Sequence, residues 1–176
     1  MNQTALTMTL EQLNTIAGRA YGYGFIYALL IGQLLIPRVT NLMYDLVDPQ
    51  FKARFKHKWQ PSIIGIIERT LYILSLLGGH AGFIGLWIGL KVGIPYIRWA
   101  DDNDDESDPA RGRSLFMNSL YGNALSILYS VVGYLIILWL NKGEIKSAVV
   151  VAVILSGFNV ILWIGLKIYQ KCMSEN

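Results

Sequence analysis

Charged residues are what this sequence has least of. Asp, Glu, Lys and Arg together make up 15% of the 176 residues, against roughly 25% in an average soluble domain. Hydrophobic residues make up 53%, and the mean hydropathy is +0.41. That balance excludes a disordered chain, which needs high charge and few apolar residues. It also excludes an ordinary water-soluble globule. Cysteine is nearly absent: Cys172 stands alone, so neither an internal disulfide nor a multi-thiolate metal site can form. Histidine occurs only at His57 and His80, one in a loop and one in an apolar region, and two such residues do not make a metal site. There is no P-loop, no G-x-G-x-x-G and no nucleophile–His–acid set. No enzymatic activity, metal or cofactor is therefore expected. The net charge of +3 and the pI near 9.0 would fit a nucleic-acid binder. The basic residues, however, cluster beside apolar stretches, as the positive-inside rule requires, so nucleic acid is not an expected partner. What remains is an all-α polytopic membrane protein whose main partner is the lipid bilayer.

Charge-free windows locate the spans. Ala20–Pro37 runs 18 residues without a charge, Thr70–Leu90 runs 21, Ser114–Asn141 runs 28 and Ser147–Leu166 runs 20. Counting windows gives four spans. The second apolar region, Pro61–Trp99, is 39 residues long and would approach about 60 Å as one straight helix, twice a typical hydrocarbon core of about 30 Å. Its middle reads Gly78-Gly79-His80-Ala81-Gly82. Glycine weakens helices and permits left-handed turns. The region therefore divides into two short helices near 62–78 and 82–99, as a transmembrane hairpin or a re-entrant pair. The preferred count becomes five spans, near 20–37, 62–78, 82–99, 115–140 and 147–167, within one domain covering 20–171; four is the alternative.

Charge asymmetry favours five. Ten basic residues (Arg38, Lys52, Arg54, Lys56, Lys58, Arg98, Arg111, Arg113, Lys167 and Lys171) then share one side, against three on the other. With four spans the split is 7 to 6. The expected orientation puts the N-terminus outside and the C-terminus inside. Residues 1–19 form a separate segment. Leu10, Leu13, Ile16 and Ala17 recur at helical spacing and Thr9/Gln12 fits a capping box, so a short amphipathic surface helix is expected, without the basic start and apolar core of a signal peptide.

Two loops face inward in this scheme. The first carries Lys52, Arg54, Lys56 and Lys58 interleaved with aromatics, which reads as a topology signal or as a site for anionic headgroups or an acidic partner. The second holds six acids between Asp101 and Asp108. It lacks the glycine of a calcium loop, so a solvated loop is the preferred reading over weak divalent binding.

The sharpest feature is polar residues at membrane depth. Glu68 and Arg69 lie in the first hairpin helix and Lys91 in the second, and the midpoint of 68 and 91 is 79.5, inside the glycine break. A hairpin puts Glu68 and Lys91 at one depth, forming an intramembrane charged layer with Arg69. Charges there cost several kcal/mol unless paired or hydrated. The layer reads as a structural lock or as part of an ion or proton path, with Glu68 as the titrating group. Gly85, Gly89 and Gly93 form a small-residue stripe that suits close helix packing, within the chain or between copies. Gly122 and Ser126 continue a similar stripe with Ser130. Asn123, Asn159 and Gln33 are expected to hydrogen-bond between helices. Tyr21, Tyr23, Trp59, Tyr96, Trp99, Trp139 and Tyr169 fall near the expected helix ends as an interfacial belt.

The segments Gly65-Ile66-Ile67-Glu68-Arg69-Thr70-Leu71, Gly82-Phe83-Ile84-Gly85 with Lys91, and Leu120-Tyr121-Gly122-Asn123-Ala124-Leu125-Ser126 resemble a group of uncharacterised bacterial inner-membrane proteins with a Gly-x-x-Glu-Arg intramembrane segment. The resemblance covers roughly residues 62–135. It implies residence in an inner membrane and no particular activity. The expected role is a non-enzymatic small membrane subunit or scaffold. The alternative is a small oligomeric transporter or ion-permeation protein that uses Glu68, Arg69 and Lys91; a homo-oligomer or a membrane-complex partner would fit either.

Overall fold

The computed structural model describes residues 18–47, 59–101 and 109–174. The expected amphipathic segment before residue 18, the basic cluster Lys52, Arg54, Lys56 and Lys58, and most of the acidic loop lie outside the described residues. Five helices are described: α1 (18–47), α2 (Trp59–Leu77), α3 (Gly82–Asp101), α4 (Pro109–Asn141) and α5 (Ile145–Ser174). Among the described residues there is no strand.

Two of the connections are glycine-terminated turns of the same design. Gly79 has φ +76° and Gly143 φ +77°, a left-handed conformation that suits glycine because it has no Cβ. At the first, His80 N–H donates to Ser75 O at 2.8 Å and Gly79 N–H to Leu76 O at 3.2 Å. At the second, Glu144 N–H donates to Trp139 O at 2.8 Å and Gly143 N–H to Leu140 O at 3.0 Å. Both are Schellman motifs, which satisfy the last carbonyls of a helix while reversing the chain. The glycine break thus ends α2 at Leu77 and starts α3 at Gly82.

Helix α1 departs from expectation. A span ending at Pro37 is expected from the sequence, yet Pro37 lies inside the helix, which continues to Val47. Proline removes one backbone hydrogen bond and its ring crowds the carbonyl four residues earlier, while the extension buries Val39 (1% exposed) and Leu42 (7% exposed). That burial works against the cost of the proline. Tyr27–Ile31 forms one π-helical turn, closed by Gly32 N–H on Tyr27 O. An extra residue in the turn rotates the rest of the helix by about 100° and so resets the face that α1 presents from Gly32 onward. Helices α4 and α5 also exceed their expected bounds, starting at Pro109 and ending at Ser174. Proline is tolerated in a first turn because its missing N–H has no acceptor there.

Helix α4 is the centre of the molecule and packs on α1, α2 and α5. One core joins Tyr27, Ile36 and Val39 of α1 to Leu125, Tyr129, Val132 and Ile136 of α4 and to Ala148 and Leu155 of α5. A second joins Ala28, Ile73 and Ile137 where α1, α2 and α4 meet. Tyr27 O–H donates to Ala152 O at 3.0 Å and lies 3.2 Å from Ser156 Oγ, tying the π turn to α5. Helix α3 stands at the edge, against α2 and, more thinly, α4.

Helices α1 and α4 approach each other closely at a pair of glycines. A Cβ on Gly24 would lie 2.5 Å from Gly133 O, and one on Gly133 would lie 2.7 Å from Gly24 O. The backbones touch there. The stripe Gly85, Gly89 and Gly93, by contrast, meets nothing within 4 Å among the described residues. It does not pack another described helix of this chain, because α3 presents these residues away from α2 and α4. Gly122 does serve packing: a Cβ there would meet Thr40 Cγ2 of α1 at 3.3 Å.

Three helices are long and apolar enough to cross a membrane: Gly18–Leu46, Phe116–Asn141 and Ile145–Met173; Gly82–Gly93 is a shorter apolar stretch. Much of their apolar surface faces outward, above all on α5, where Val149, Val153, Ile154, Ile161, Ile164 and Ile168 are exposed. The all-helical architecture and its three candidate spans fit association with a membrane.

Candidate functional site

The charged layer is built by the hairpin. Glu68 lies nine residues before the end of α2 at Leu77, and Lys91 lies nine residues after α3 begins at Gly82. Both therefore stand about 14 Å from the turn. Lys91 Nζ donates to Glu68 Oε1 at 2.7 Å and to Oε2 at 2.8 Å. It also donates to Asn123 Oδ1 of α4 at 2.7 Å, which uses all three ammonium hydrogens. Trp87 Nε1–H, one turn before Lys91, donates to Glu68 Oε1 at 3.2 Å, and its ring stacks on Phe83 with centroids 6.1 Å apart. The carboxylate is almost wholly enclosed, with its side chain 5% exposed, while that of Lys91 is 34% exposed. This cluster joins α2, α3 and α4 through charge-assisted bonds, roughly twice as strong as neutral ones.

Arg69 does not belong to that cluster. The sequence places it in one layer with Glu68 and Lys91, but adjacent helix positions point about 100° apart, and Arg69 faces α1. Its Nη2 donates to Gln33 Oε1 at 2.6 Å. Its side chain threads between two glycines: a Cβ on Gly32 would lie 3.3 Å from both Arg69 Cδ and Nε, and one on Gly65 would lie 3.3 Å from Nη1. The same point above Gly32 lies 3.3 Å from Tyr129 Cγ. The arginine is thus sandwiched by α1, α2 and the Tyr129 ring, and it is only 2% exposed.

Sequence reasoning alone misses Gly32, Trp87 and Tyr129 as parts of this layer, and reads Gly65 only as the glycine of the Gly-x-x-Glu-Arg segment. Gly65 and Gly32 carry a signal: each stands one helical turn from, or beside, a polar residue in an otherwise apolar stretch. Tyr129 carries none. Of the expected interhelical amides, Gln33 and Asn123 bridge helices as described. Asn159 does not: its Nδ2 donates to Leu155 O of its own helix at 3.0 Å. Ser126 is buried at 4% exposure, and its carbonyl accepts from Ser130 Oγ at 2.9 Å. His80 is exposed in the hairpin turn, far along α2 from Glu68. Among the described residues no group of three His, Cys, Asp or Glu side chains is placed to hold a metal ion.

Comparison with known protein families, with curated proteins and with solved structures gave no match.

Proposed function

We propose that this chain is a non-enzymatic multi-pass protein of a cell inner membrane, a small subunit or scaffold. In this reading it has five spans, with the N-terminus outside and the C-terminus inside. The observation that carries the reading is the closed Glu68–Lys91–Asn123–Trp87 cluster. Lys91 spends all three donors and Glu68 accepts three bonds, so the pair acts as a lock on the hairpin rather than as an open relay. Lengths support five spans: α2 has 19 residues and α3 has 20, about 28 and 30 Å, enough for a core of about 30 Å. The outward apolar faces of α5 and α1 suit lipid. Lys167 lies over the Trp163 ring at 4.5 Å, an arrangement suited to the headgroup boundary.

Sidedness is tested by thiol labelling. In a Cys172→Ser background, single cysteines at His80 and Glu144 are expected to react with an impermeant reagent added to intact cells. Native Cys172, alone in the wild type, is expected to react only after lysis. External labelling of Cys172 with none at position 144 overturns the five-span scheme.

A second reading, a small oligomeric ion-permeation protein, is favoured by one observation: Arg69 is buried without a carboxylate partner among the described residues. Flux assays separate the two. Purified protein in liposomes is expected to carry no sodium, potassium, proton or chloride current above empty vesicles. A current lost in a folded Glu68→Gln or Arg69→Gln variant overturns the scaffold reading.

A further inference from the structure

Helix α3 is fastened to the bundle differently from the other described helices. None of its described residues belongs to either apolar core, whereas α1, α2, α4 and α5 each contribute to one or both. Among the side chains described from Gly82 to Gly93, Ile84 alone is buried. Leu86 and Leu90 are exposed. The glycines of α3 bring no described backbone close either: a Cβ on Gly82, Gly85, Gly89 or Gly93 would meet nothing within 4 Å.

What holds α3 is one polar layer. Lys91 Nζ reaches both Glu68 oxygens on α2 and Asn123 Oδ1 on α4, and Trp87 Nε1–H reaches Glu68 Oε1. In an apolar surrounding this difference decides how firmly a helix is held. Lipid tails replace the apolar contacts that a departing helix loses, so association rests on close packing and on interhelical hydrogen bonds. Helices α1 and α4 have the close packing at Gly24 and Gly133. Helix α3 has the bonds. Few buried apolar contacts mark an element that can open separately from the rest. The connection to α2, Gly78–Gly82, is exposed throughout and holds three glycines, with Gly79 at φ +76°. Such a short segment between helix ends can absorb the backbone rotation of a hinge.

We infer that α3 is a hinged arm, latched on α2 and α4 by Glu68, Lys91, Asn123 and Trp87. Neutralising the Glu68–Lys91 pair frees α3 to swing about Gly78–Gly82, while α1, α2, α4 and α5 stay assembled. The open arm uncovers Glu68 and Asn123, the two side chains that Lys91 joins. In the unaltered chain the arm stays shut, because separating the two charges in an apolar surrounding is costly. The inference rests on the lock of the scaffold reading and adds what the lock controls. Thiol labelling and flux test that reading, whereas the experiment below follows the position of α3 alone.

The test is distance measurement by double electron–electron resonance on the purified full chain in detergent, with Cys172→Ser removing the native thiol. Spin labels at Leu90→Cys of α3 and Ile161→Cys of α5 report the arm, and labels at Leu74→Cys of α2 and Ile161→Cys report the bundle; all three positions are exposed. With the latch intact, each pair is expected to give one narrow distance. Glu68→Met with Lys91→Met removes the latch and strands no charge. It is expected to broaden or split the Leu90–Ile161 distance and to leave the Leu74–Ile161 distance unchanged. A Leu90–Ile161 distance that stays narrow in that variant, or is already broad with the latch intact, overturns the arm. So does broadening of both pairs together. If the double variant fails to fold, the latched chain decides along a dodecyl sulfate titration. There the Leu90–Ile161 pair is expected to separate before the Leu74–Ile161 pair, and coincident separation overturns the inference.

Discussion

Replacing Lys91 by methionine is expected to cost about 3–5 kcal/mol of stability, the range for breaking a buried ion pair from one side. The reason is the asymmetry of the pair. Glu68 is 5% exposed as a side chain and Lys91 34%, so removing the lysine strands a carboxylate that keeps, among the described residues, the single bond from Trp87 Nε1–H. Glu68→Gln is expected to cost less, about 1–3 kcal/mol. There the ammonium keeps Asn123 Oδ1 and can move its charge outward along its partly exposed stem. Removing both charges together, Glu68→Gln with Lys91→Met, is expected to recover much of the loss, because neither half of the pair is left as an unpaired buried charge. Unfolding of the purified variants in a denaturing detergent titration measures the order. Equal losses for the two single variants would show that burial does not set the cost.

The second large effect concerns glycine. Gly133→Ala is expected to destabilise by about 1–3 kcal/mol or more, as overpacking does. Its new Cβ would stand 2.7 Å from Gly24 O and 2.9 Å from Ala28 Cβ. A backbone oxygen cannot swing aside as a flexible side chain can, so α1 must move off α4. Gly24→Ala meets Gly133 O at 2.5 Å and Ile137 Cγ1 at 2.4 Å and is expected to cost as much. Gly85→Ala and Gly89→Ala have open space. They are expected to be neutral or slightly stabilising, since alanine is the better helix former by about 1 kcal/mol. The same titration checks all four. A loss at Gly85 or Gly89 comparable to that at Gly133 would mean that the α3 stripe packs against a second copy.

The contrast between these glycines shows where sequence reading stops. Gly85, Gly89 and Gly93 have the regular spacing of a packing stripe, and Gly24 and Gly133 have no such pattern. Spacing identifies a face of small residues. It does not say whether another helix lies against that face. The same limit explains Arg69. Its depth comes from its position beside Glu68, but its partner Gln33 lies 36 positions away on α1, and nothing local points from one to the other. The π turn at Tyr27–Ile31 hides the match further, because it shifts which face α1 shows after Gly32.

What the sequence alone determined was the class of the chain and the register of its hairpin. Scarce charge and long apolar windows required helices that satisfy their own backbone in an apolar surrounding. The glycine cluster required a reversal near residue 79, and a reversal fixes depth by counting, because each helical residue rises by the same amount. Glu68 and Lys91 meet at 2.7 Å for that reason. Only the tertiary structure decided how the helices are rotated about their axes: that Arg69 turns to α1, that α4 lies at the centre, that α1 runs on through Pro37. Depth is a local property, additive along the chain. Rotation is set by which non-adjacent faces bury each other best, and several faces of this chain carry small and apolar residues in nearly equal measure.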